Sequence, residues 1–321
     1  MRKESKSVSA ERLCYHKLVT GTSNQLSRSR VSPKLDSSKL RAPFLLLQSV
    51  LHKHFIQHPT DVTLFNMTSS LWHPLIEPPK LSADAVHVIY VSLQSEEARI
   101  ENLRSLLAPD ELVRADRYKV ERARRQFTIC RASLRWLLAS CIGSSPTEIA
   151  FEYGPHGKPA LQTGSGATSR IEFSVSHSAD HALIAISPNR HIGVDVEQID
   201  ETVRIIKLAE RFFSKREAAE LNRLPSHDQL AGFFRGWTSK EAYLKATGFG
   251  LSFPLDRFSV SLNPHQPAKL CEVVDNPTEL SRWRLLSLDP IPGFAAAILF
   301  EATEQEEVAL NRWRLPPIQA T

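Results

Sequence analysis

The chain has 321 residues, of which 42% are hydrophobic and 23% are charged, proportions that are ordinary for a soluble globular protein. Its formal net charge of +5 is unevenly distributed, because residues 1–66 contain 11 Lys and Arg against 4 Asp and Glu, whereas residues 67–321 contain 29 against 31. The basic excess belongs to the leader, so the body lacks the charge expected of a nucleic-acid-binding module.

The sequence also argues against membrane insertion, secretion and disulfide bonding. No apolar run approaches the roughly 20 residues of a membrane span. The basic start MRKESK is not followed by the apolar core of a secretory signal. The cysteines are scattered, without a CxxC pair, and indicate reduced thiols in a cytoplasmic protein. They are Cys14, Cys130, Cys141 and Cys271.

Residues 1–66 form a leader that is rich in Ser, Lys and Arg and has little periodicity. This composition indicates a disordered segment or an upstream start assigned in error. A further interpretation is a basic tail that tethers the protein to an acidic partner. We expect the working protein to begin at or near Met67, with residues 67–84 as a linker to the first strand.

A strand is predicted at 86–93, followed by a helical region at about 109–140. Apolar residues at helical spacing predict a buried stripe on that region. They are Phe127, Cys130, Leu134, Leu137, Leu138 and Cys141. The other face carries Arg114, Arg117, Lys119, Arg122, Arg124, Arg125, Arg131 and Arg135. We expect most of these basic side chains to be solvated and a minority to face an anionic ligand.

The chain then continues with short strands and turns. A strand at 148–153 leads into a glycine-containing turn and Lys158. A hairpin is predicted from the strands 171–176 and 182–186, with Ser176, His177 and Ser178 at its bend. A lone lysine or histidine in a turn is usually an exposed, inert side chain, but an acidic strand follows here directly and favours a site.

The first half reads strand, helix, strand, hairpin, and the second half repeats this order of strand, helix and further strands. A strand at 192–197 precedes helices around 202–213, 215–222 and 227–247, and three strand-like runs follow at 257–262, 282–288 and 293–300. The repetition predicts an α+β fold of two similar α/β lobes related by a pseudo-twofold, with a ligand site in the cleft between them. The lobes would span 85–190 and 191–305, and residues 306–321 would form a tail.

Four residues of the second half are candidates for chemistry. Asp195 and Glu197 lie two apart in a strand and therefore share a face, where their like charges favour a bound cation. Glu241 and Lys245 lie four apart on a predicted helix and share a face there. The alternative for Lys245 is an ordinary Glu–Lys pair on a helix surface, worth about 0.2–0.5 kcal/mol.

Four segments carry a resemblance to a known family. GVDVE at 193–197, WTSKEAYLKATGFGL at 237–251, FSVSHS at 173–178 and GKP at 157–159 resemble, in this order, the motifs of 4'-phosphopantetheinyl transferases of the surfactin-synthetase-activating type. The resemblance covers roughly residues 85–300. At Ser174 the chain departs from the asparagine that many members carry.

The resemblance implies a catalytic set. Asp195, Glu197 and Glu241 match the family's Mg²⁺ ligands, and Glu241 can also accept the proton of the attacking serine, directly or through water. Ligation and base catalysis compete at Glu241, and both remain open here. Lys245 would neutralise the phosphates or the leaving group, and His177 is counted with the catalytic residues.

The resemblance also implies a coenzyme A site. His177 and Ser176 would hold a coenzyme A phosphate, as would Lys245. Arg114 lies five positions after Pro109, where family members carry a basic residue that contacts coenzyme A. Lys158 belongs to the GKP segment and would hold the nucleotide end together with Arg114.

The implied activity is Mg²⁺-dependent transfer of 4'-phosphopantetheine from coenzyme A to a serine of an acyl or peptidyl carrier protein, with release of adenosine 3',5'-bisphosphate. The alternative is an inactive relative that binds coenzyme A or the carrier, but no expected ligand or lysine is missing. We expect a cytoplasmic monomer that binds neither nucleic acid nor a membrane. The sequence does not identify the carrier, which could serve fatty-acid, polyketide or peptide synthesis.

Overall fold

The computed structural model of the chain describes residues 72–94, 97–162, 170–250 and 253–318. The predicted leader at 1–66, its alternative interpretations and the expected start at Met67 lie outside these residues. The same is true of the first part of the predicted linker.

The first lobe is a sheet covered by helices. Its elements are β1 (His73–Pro74), β2 (Ala85–Ser92), α1 (Glu97–Arg104), α2 (Pro109–Asp116), α3 (Glu121–Ile142), β3 (Phe151–Tyr153), β4 (Pro159–Leu161), β5 (Ile171–Ser178) and β6 (His181–Pro188). The helical region predicted at 109–140 is therefore two helices. The chain turns between them and buries Tyr118 against Phe127, with ring centroids 5.5 Å apart.

The second lobe has the same kinds of element. They are β7 (Ile192–Gln198), α4 (Ile205–Phe212), α5 (Lys215–Arg223), α6 (Ser226–Thr247), β8 (Phe258–Val260), β9 (Leu270–Val273), β10 (Trp283–Leu288) and β11 (Phe294–Glu301). Helix α6 ends where the sequence predicts, because Gly248 adopts a left-handed φ of 71° and donates its amide to Leu244 O at 3.0 Å.

Both lobes use one strand order. In the first lobe β2 pairs antiparallel with β6, which pairs with β5, and in the second lobe β7 pairs antiparallel with β11, which pairs with β10. Along the chain, each lobe has a helix of 22 residues between its first strand and its hairpin, which is α3 in the first lobe and α6 in the second. The structure thus confirms the predicted α+β fold of two similar lobes.

The structure corrects the prediction of a tail at 306–321, because part of this segment is a strand. Strand β12 (Ala309–Arg314) lies parallel between β1 and β2 in the sheet of the first lobe. There Trp313 Nε1 donates to His87 Nδ1 at 3.1 Å. The two residues are 226 positions apart in the chain, so no local pattern announces the pairing.

The hairpin of β5 and β6 turns later than the sequence predicts. Ser176, His177 and Ser178 lie within β5, whose pairing with β6 continues to Ser178 opposite His181. The turn falls at 179–180, where Ala179 has a φ of 49°. The predicted bend is therefore wrong, and the three residues have the alternating directions of strand side chains.

An apolar interface joins the two lobes. One face of β2 and β6 packs on one face of β7 and β11, and the buried side chains form a single cluster. Its members include Val86, Val88, Leu183, Ala185, Val194, Val196, Ile298 and Phe300. The opposite faces of the two sheets pack on α3 and α6, respectively. Because Val194 and Val196 face the other lobe, Asp195 and Glu197 face α6.

Candidate active site

Helix α6 lies directly on β7, and Gly193 permits this contact. A Cβ on Gly193 would lie 2.0 Å from the carbonyl oxygen of Ala242 and 2.5 Å from the amide nitrogen of Ala246. Gly193 shares its face of β7 with Asp195. The close approach therefore brings α6 onto Asp195, where Lys245 Nζ donates to Asp195 Oδ1 at 2.7 Å.

Three carboxylates are buried at this contact. Asp195, Glu197 and Glu241 expose 2%, 4% and 5% of their surface. Two of them accept hydrogen bonds from β5 of the other lobe, since Ser176 Oγ donates to Asp195 Oδ1 at 2.7 Å and Ser178 Oγ donates to Glu197 Oε2 at 2.9 Å. The structure thus assembles the predicted acidic residues at the junction of the lobes.

Burial raises the pKa of all three carboxyl groups. The pKa of Asp195 is raised by burial and lowered again, in part, by the ammonium of Lys245. Burial and the charge of Asp195 hold the pKa of Glu197 well above its ordinary value. Burial, followed by the charge of Asp195, raises the pKa of Glu241 to about 8. Glu241 therefore exchanges a proton near neutral pH.

The donor atoms of this cluster suit a hard divalent cation. Asp195 Oδ2 and Glu241 Oε1 are buried and accept no hydrogen bond from any described residue. Within the described ranges, no three His, Cys, Asp or Glu side chains are already arranged as a metal site. The ammonium of Lys245 lies on Asp195 instead. Oxygen donors in this number and charge are nevertheless those that Mg²⁺ takes from proteins.

Replacing Glu241 by Gln should change how the stability of the metal-free protein depends on pH. A carboxyl group whose pKa is about 8 in the folded protein, against 4.5 ordinarily, binds its proton more tightly when folded. The free energy of unfolding therefore falls as pH rises from about 4.5 to about 8, because in this range the unfolded protein loses the proton that the folded protein keeps. We expect Glu241→Gln to gain a few degrees in Tm relative to the wild type across this window.

The measurement is a series of melting curves for both proteins between pH 5 and 9 in the presence of EDTA. Glu201→Gln is the matched control, because Glu201 is an exposed carboxylate just after β7. A difference in Tm between Glu241→Gln and the wild type that stays constant over this pH range would contradict the raised pKa.

The structure gives Lys158 a different neighbourhood from the carboxylates. Its Nζ donates to the carbonyl oxygens of Ile192 and Ala246, both at 3.3 Å, and lies 3.9 Å from Glu172 Oε2. Burial lowers the pKa of this ammonium group, and Glu172 raises it again in part. Lys158 thus ties the first lobe to the start of β7 and the end of α6, while its predicted contact with coenzyme A remains a prediction.

Lys158→Met should destabilise the protein while keeping the apolar stem of the side chain. The substitution leaves two partly buried carbonyl oxygens without their donor, which costs about 1–3 kcal/mol. We expect a lower denaturant midpoint than in the wild type, measured by urea unfolding. Lys119→Met, at an exposed position of the same lobe, serves as the control and should unfold like the wild type. Equal midpoints for the two variants would mean that the hydrogen bonds of Lys158 contribute nothing to the free energy of unfolding.

The predicted basic face of the first lobe is buried in part, because Arg131 and Arg135 lie in the interior while the other six basic side chains are exposed or half-buried. Arg131 and Arg135 expose 8% and 2%. Both pair with Glu111, whose carboxylate lies 3.5 Å from Arg131 Nε and 2.5 Å from Arg135 Nε. Arg114 packs over the ring of Phe127, with its guanidinium carbon 5.1 Å from the centroid. The pairing of Glu111 was not predicted, because Arg135 lies 24 positions later in the chain, on a different helix.

His177 lies between the two serines that bind the carboxylates. Successive side chains of a strand point to opposite faces. The imidazole therefore points away from the side on which Ser176 and Ser178 bond to Asp195 and Glu197. The hydroxyl of Ser176, which was predicted to hold a phosphate, donates to Asp195 in the structure. Contacts of His177 and Ser176 with coenzyme A remain predictions.

Lys240 is a residue that the sequence analysis missed. It is fully buried, and its Nζ donates to Glu217 Oε2 at 2.8 Å, to Leu255 O at 2.7 Å and to Phe258 O at 2.6 Å. Glu217 also forms a capping box with Ser214 at the start of α5. Lys240 thus anchors α6 to the start of α5 and to the segment at 255–258.

Comparisons with known proteins agree with the motifs. Residues 191–299 match the 4'-phosphopantetheinyl transferase superfamily, and residues 93–189 match the N-terminal part of a 4'-phosphopantetheinyl transferase. The 4'-phosphopantetheinyl transferase HetI of Nostoc sp. is 38% identical over 234 residues, which are 72% of this chain and 94% of that protein. The chain belongs to the 4'-phosphopantetheinyl transferase family.

Other 4'-phosphopantetheinyl transferases show the same similarity. Sfp of Bacillus subtilis is 25% identical over 213 residues, covering 66% of this chain and 90% of Sfp. Gsp of Aneurinibacillus migulanus is 34% identical over 133 residues, covering 41% of this chain and 52% of Gsp. The two matched ranges meet between β6 and β7, so the carboxylate cluster of this 4'-phosphopantetheinyl transferase lies where its two halves join.

The described part of this 4'-phosphopantetheinyl transferase contains no helix of sufficient length and apolarity for a membrane span. Its described cysteines, Cys130, Cys141 and Cys271, are free thiols, and burial raises the pKa of Cys130 and of Cys141 to about 11. Thiols with such pKa values are largely protonated at neutral pH and are poor nucleophiles.

Proposed function

We propose that the protein transfers 4'-phosphopantetheine from coenzyme A to a serine hydroxyl of an acyl or peptidyl carrier protein and releases adenosine 3',5'-bisphosphate. Membership of the family supports phosphopantetheine transfer to carrier proteins. The observation that carries the finer proposal is the buried contact of Lys245 with Asp195 in the same cluster as Glu197 and Glu241. This cluster combines acidic oxygens, which would bind a cation, with one ammonium group, which would face the pyrophosphate of the substrate.

Asp195, Glu197 and Glu241 would hold Mg²⁺. The proposal is supported by their burial, their like charge and the two carboxylate oxygens that accept no hydrogen bond from described residues. Bound Mg²⁺ supplies neutralisation of phosphate charge and polarises the phosphoryl oxygens. Because Lys245 and the cation would share Asp195, cation binding competes with the Lys245 contact seen in the structure.

Glu241 is the group best suited to accept the proton of the attacking serine. Burial raises the pKa of Glu241 to about 8 in the metal-free protein, and ligation of Mg²⁺ would lower it, so its roles as ligand and as base compete. In the transfer the serine oxygen bonds to the phosphorus on the pantetheine side of the pyrophosphate. The bond from that phosphorus to the bridging oxygen breaks, and adenosine 3',5'-bisphosphate leaves. The serine proton passes to Glu241, directly or through water.

Lys245 would stabilise the negative charge that develops on the departing phosphate. Its side chain is partly buried, with 17% of its surface exposed, so it can reach both the cluster and a ligand in the cleft. An ammonium group in a partly water-excluded site stabilises such charge more than it does in water. Arg114, Lys158, Ser176 and His177 remain the proposed contacts of the remainder of coenzyme A.

An inactive relative that only binds coenzyme A or the carrier is the alternative. Such a protein would be expected to have lost part of the acidic cluster or Lys245. The chain retains all four residues, and their grouping favours transfer. The balanced charge of residues 67–321 argues against nucleic-acid binding, and the free described thiols fit a cytoplasmic protein, while the monomeric state is part of the proposal.

Mass spectrometry of apo-carriers tests the proposal. Apo forms of fatty-acid, polyketide and peptide-synthetase carriers are incubated with the protein, coenzyme A and Mg²⁺, and in parallel with EDTA. We expect a gain of one phosphopantetheine per carrier only when Mg²⁺ is present, and the rates would rank the carriers. Binding of coenzyme A without mass gain on any carrier would favour the inactive relative.

A further inference from the structure

Two edge strands from different sheets meet at the active site. Strand β5 is the last strand of the first lobe's sheet, and β7 is the last strand of the second lobe's sheet. Between them the structure has side-chain hydrogen bonds. Ser174 Oγ accepts from the amide of Val194 at 3.1 Å, and Ser178 Oγ accepts from the amide of Gln198 at 3.0 Å. Serine hydroxyls thus satisfy backbone groups at the edge of β7 that would otherwise be unpaired.

Ser178 has a second bond that Ser174 lacks among the contacts of the structure. While its oxygen accepts from Gln198, its hydroxyl proton is donated to Glu197 Oε2 at 2.9 Å. Ser178 and Glu197 expose only 3% and 4% of their surface. The accepted bond fixes the hydroxyl oxygen, and the donated bond then fixes one oxygen of the Glu197 carboxylate.

We propose that Ser178 is a positioning residue, which orients Glu197 from the opposite lobe and thereby sets the affinity of the acidic cluster for a divalent cation. The inference rests on the proposed function, because it assumes that Glu197 is a cation ligand. Groups that hydrogen-bond to a ligating carboxylate orient it, and their loss typically weakens metal binding about 10- to 100-fold. Cation binding is therefore coupled to the junction of the two lobes, since Ser178 and Glu197 belong to different lobes.

Ser174 provides the matched control. It lies on the same face of β5 as Ser178, four residues earlier, and is also buried. Its hydroxyl bonds to a β7 amide without contacting a carboxylate among the hydrogen bonds of the described chain. Ser174→Ala and Ser178→Ala therefore both remove a hydrogen bond between the lobes, but only the second substitution releases Glu197.

The experiment measures Tm as a function of Mg²⁺ concentration for the wild type and for the variants Ser174→Ala, Ser178→Ala and Ser178→Thr. We expect Ser178→Ala to need about 10-fold or more Mg²⁺ for the half-maximal rise in Tm. Ser174→Ala should lower Tm without Mg²⁺ and keep the wild-type midpoint. Ser178→Thr keeps the hydroxyl and should restore the midpoint.

Transfer assays on the same variants supply a second readout. Ser178→Ala should show a higher Mg²⁺ requirement and regain most of its kcat at saturating Mg²⁺, as expected of a positioning role. The inference is overturned by a Ser178→Ala midpoint within about two-fold of the wild type, by an equal shift in Ser174→Ala, or by a wild-type Tm that does not respond to Mg²⁺.

The two readouts separate this inference from the proposed function. The Tm titration requires neither coenzyme A nor a carrier. A selective shift in Ser178→Ala together with a wild type that modifies no carrier would retain the positioning role and reject the transfer activity. Transfer by the wild type with unchanged Tm midpoints in all variants would retain the transfer activity and reject the positioning role of Ser178.

Discussion

Asp195→Asn, Glu197→Gln and Glu241→Gln are each expected to lower the transfer rate by about 10²- to 10³-fold, the usual loss when one group that stabilises transition-state charge is removed. Each substitution keeps the size of the side chain and removes one charge from the buried cluster. We expect the folded state to persist, because the variants relieve repulsion among buried like charges. The measurement is the rate of mass gain of an apo-carrier at saturating coenzyme A over a range of Mg²⁺ concentrations.

Glu201→Gln controls for the change in net charge, since Glu201 is exposed and lies shortly after β7. It should transfer at the wild-type rate. A carboxylate variant with a near-normal rate at limiting Mg²⁺ would exclude that residue as a cation ligand. Asp195→Asn is the most informative of the three, because it also removes the partner of Lys245.

Gly193→Ala is expected to have the largest effect on stability. Its Cβ would lie 2.0 Å from the carbonyl oxygen of Ala242, and a backbone atom of a helix cannot move without moving the helix. We expect a loss of at least about 3 kcal/mol, the upper end of overpacking costs. Helix α6 would also shift away from β7, and Lys245 would separate from Asp195. Transfer should fall even in the fraction that folds.

Urea unfolding and the carrier assay measure the two effects of Gly193→Ala separately. Gly154→Ala is the control, because a Cβ there would lie 3.6 Å from its nearest neighbour, an ordinary contact distance. Its stability and rate should be close to those of the wild type. A Gly193→Ala protein with wild-type stability would show that α6 does not depend on this close approach.

Local spacing was enough to predict the core of the site. Asp195 and Glu197 share a face because strand side chains alternate, and Glu241 and Lys245 share a face because four residues make about one helical turn. The α6 cap at Gly248 is equally local. All of these features depend on residues a few positions apart, so a single stretch of sequence contains the whole pattern.

Partners that are distant in sequence could not be predicted in this way. The sequence treated Ser176 and Ser178 as residues of a bend, whereas they bond to carboxylates 19 positions later in the chain. It treated Arg131 and Arg135 as parts of a basic surface, whereas Glu111 pairs with both of them in the interior. Neither pairing leaves a periodic signal.

The sequence by itself predicted which residues would carry the chemistry and identified the family to which the chain belongs. The tertiary structure decided what surrounds them. Lys158 donates to carbonyl oxygens at the start of β7 and in the last turn of α6. Strand β12 pairs in the sheet of the first lobe, although it follows the whole second lobe in the chain. The physical reason is that these contacts form between segments far apart in the chain, where burial and hydrogen bonding, rather than local spacing, select the partners.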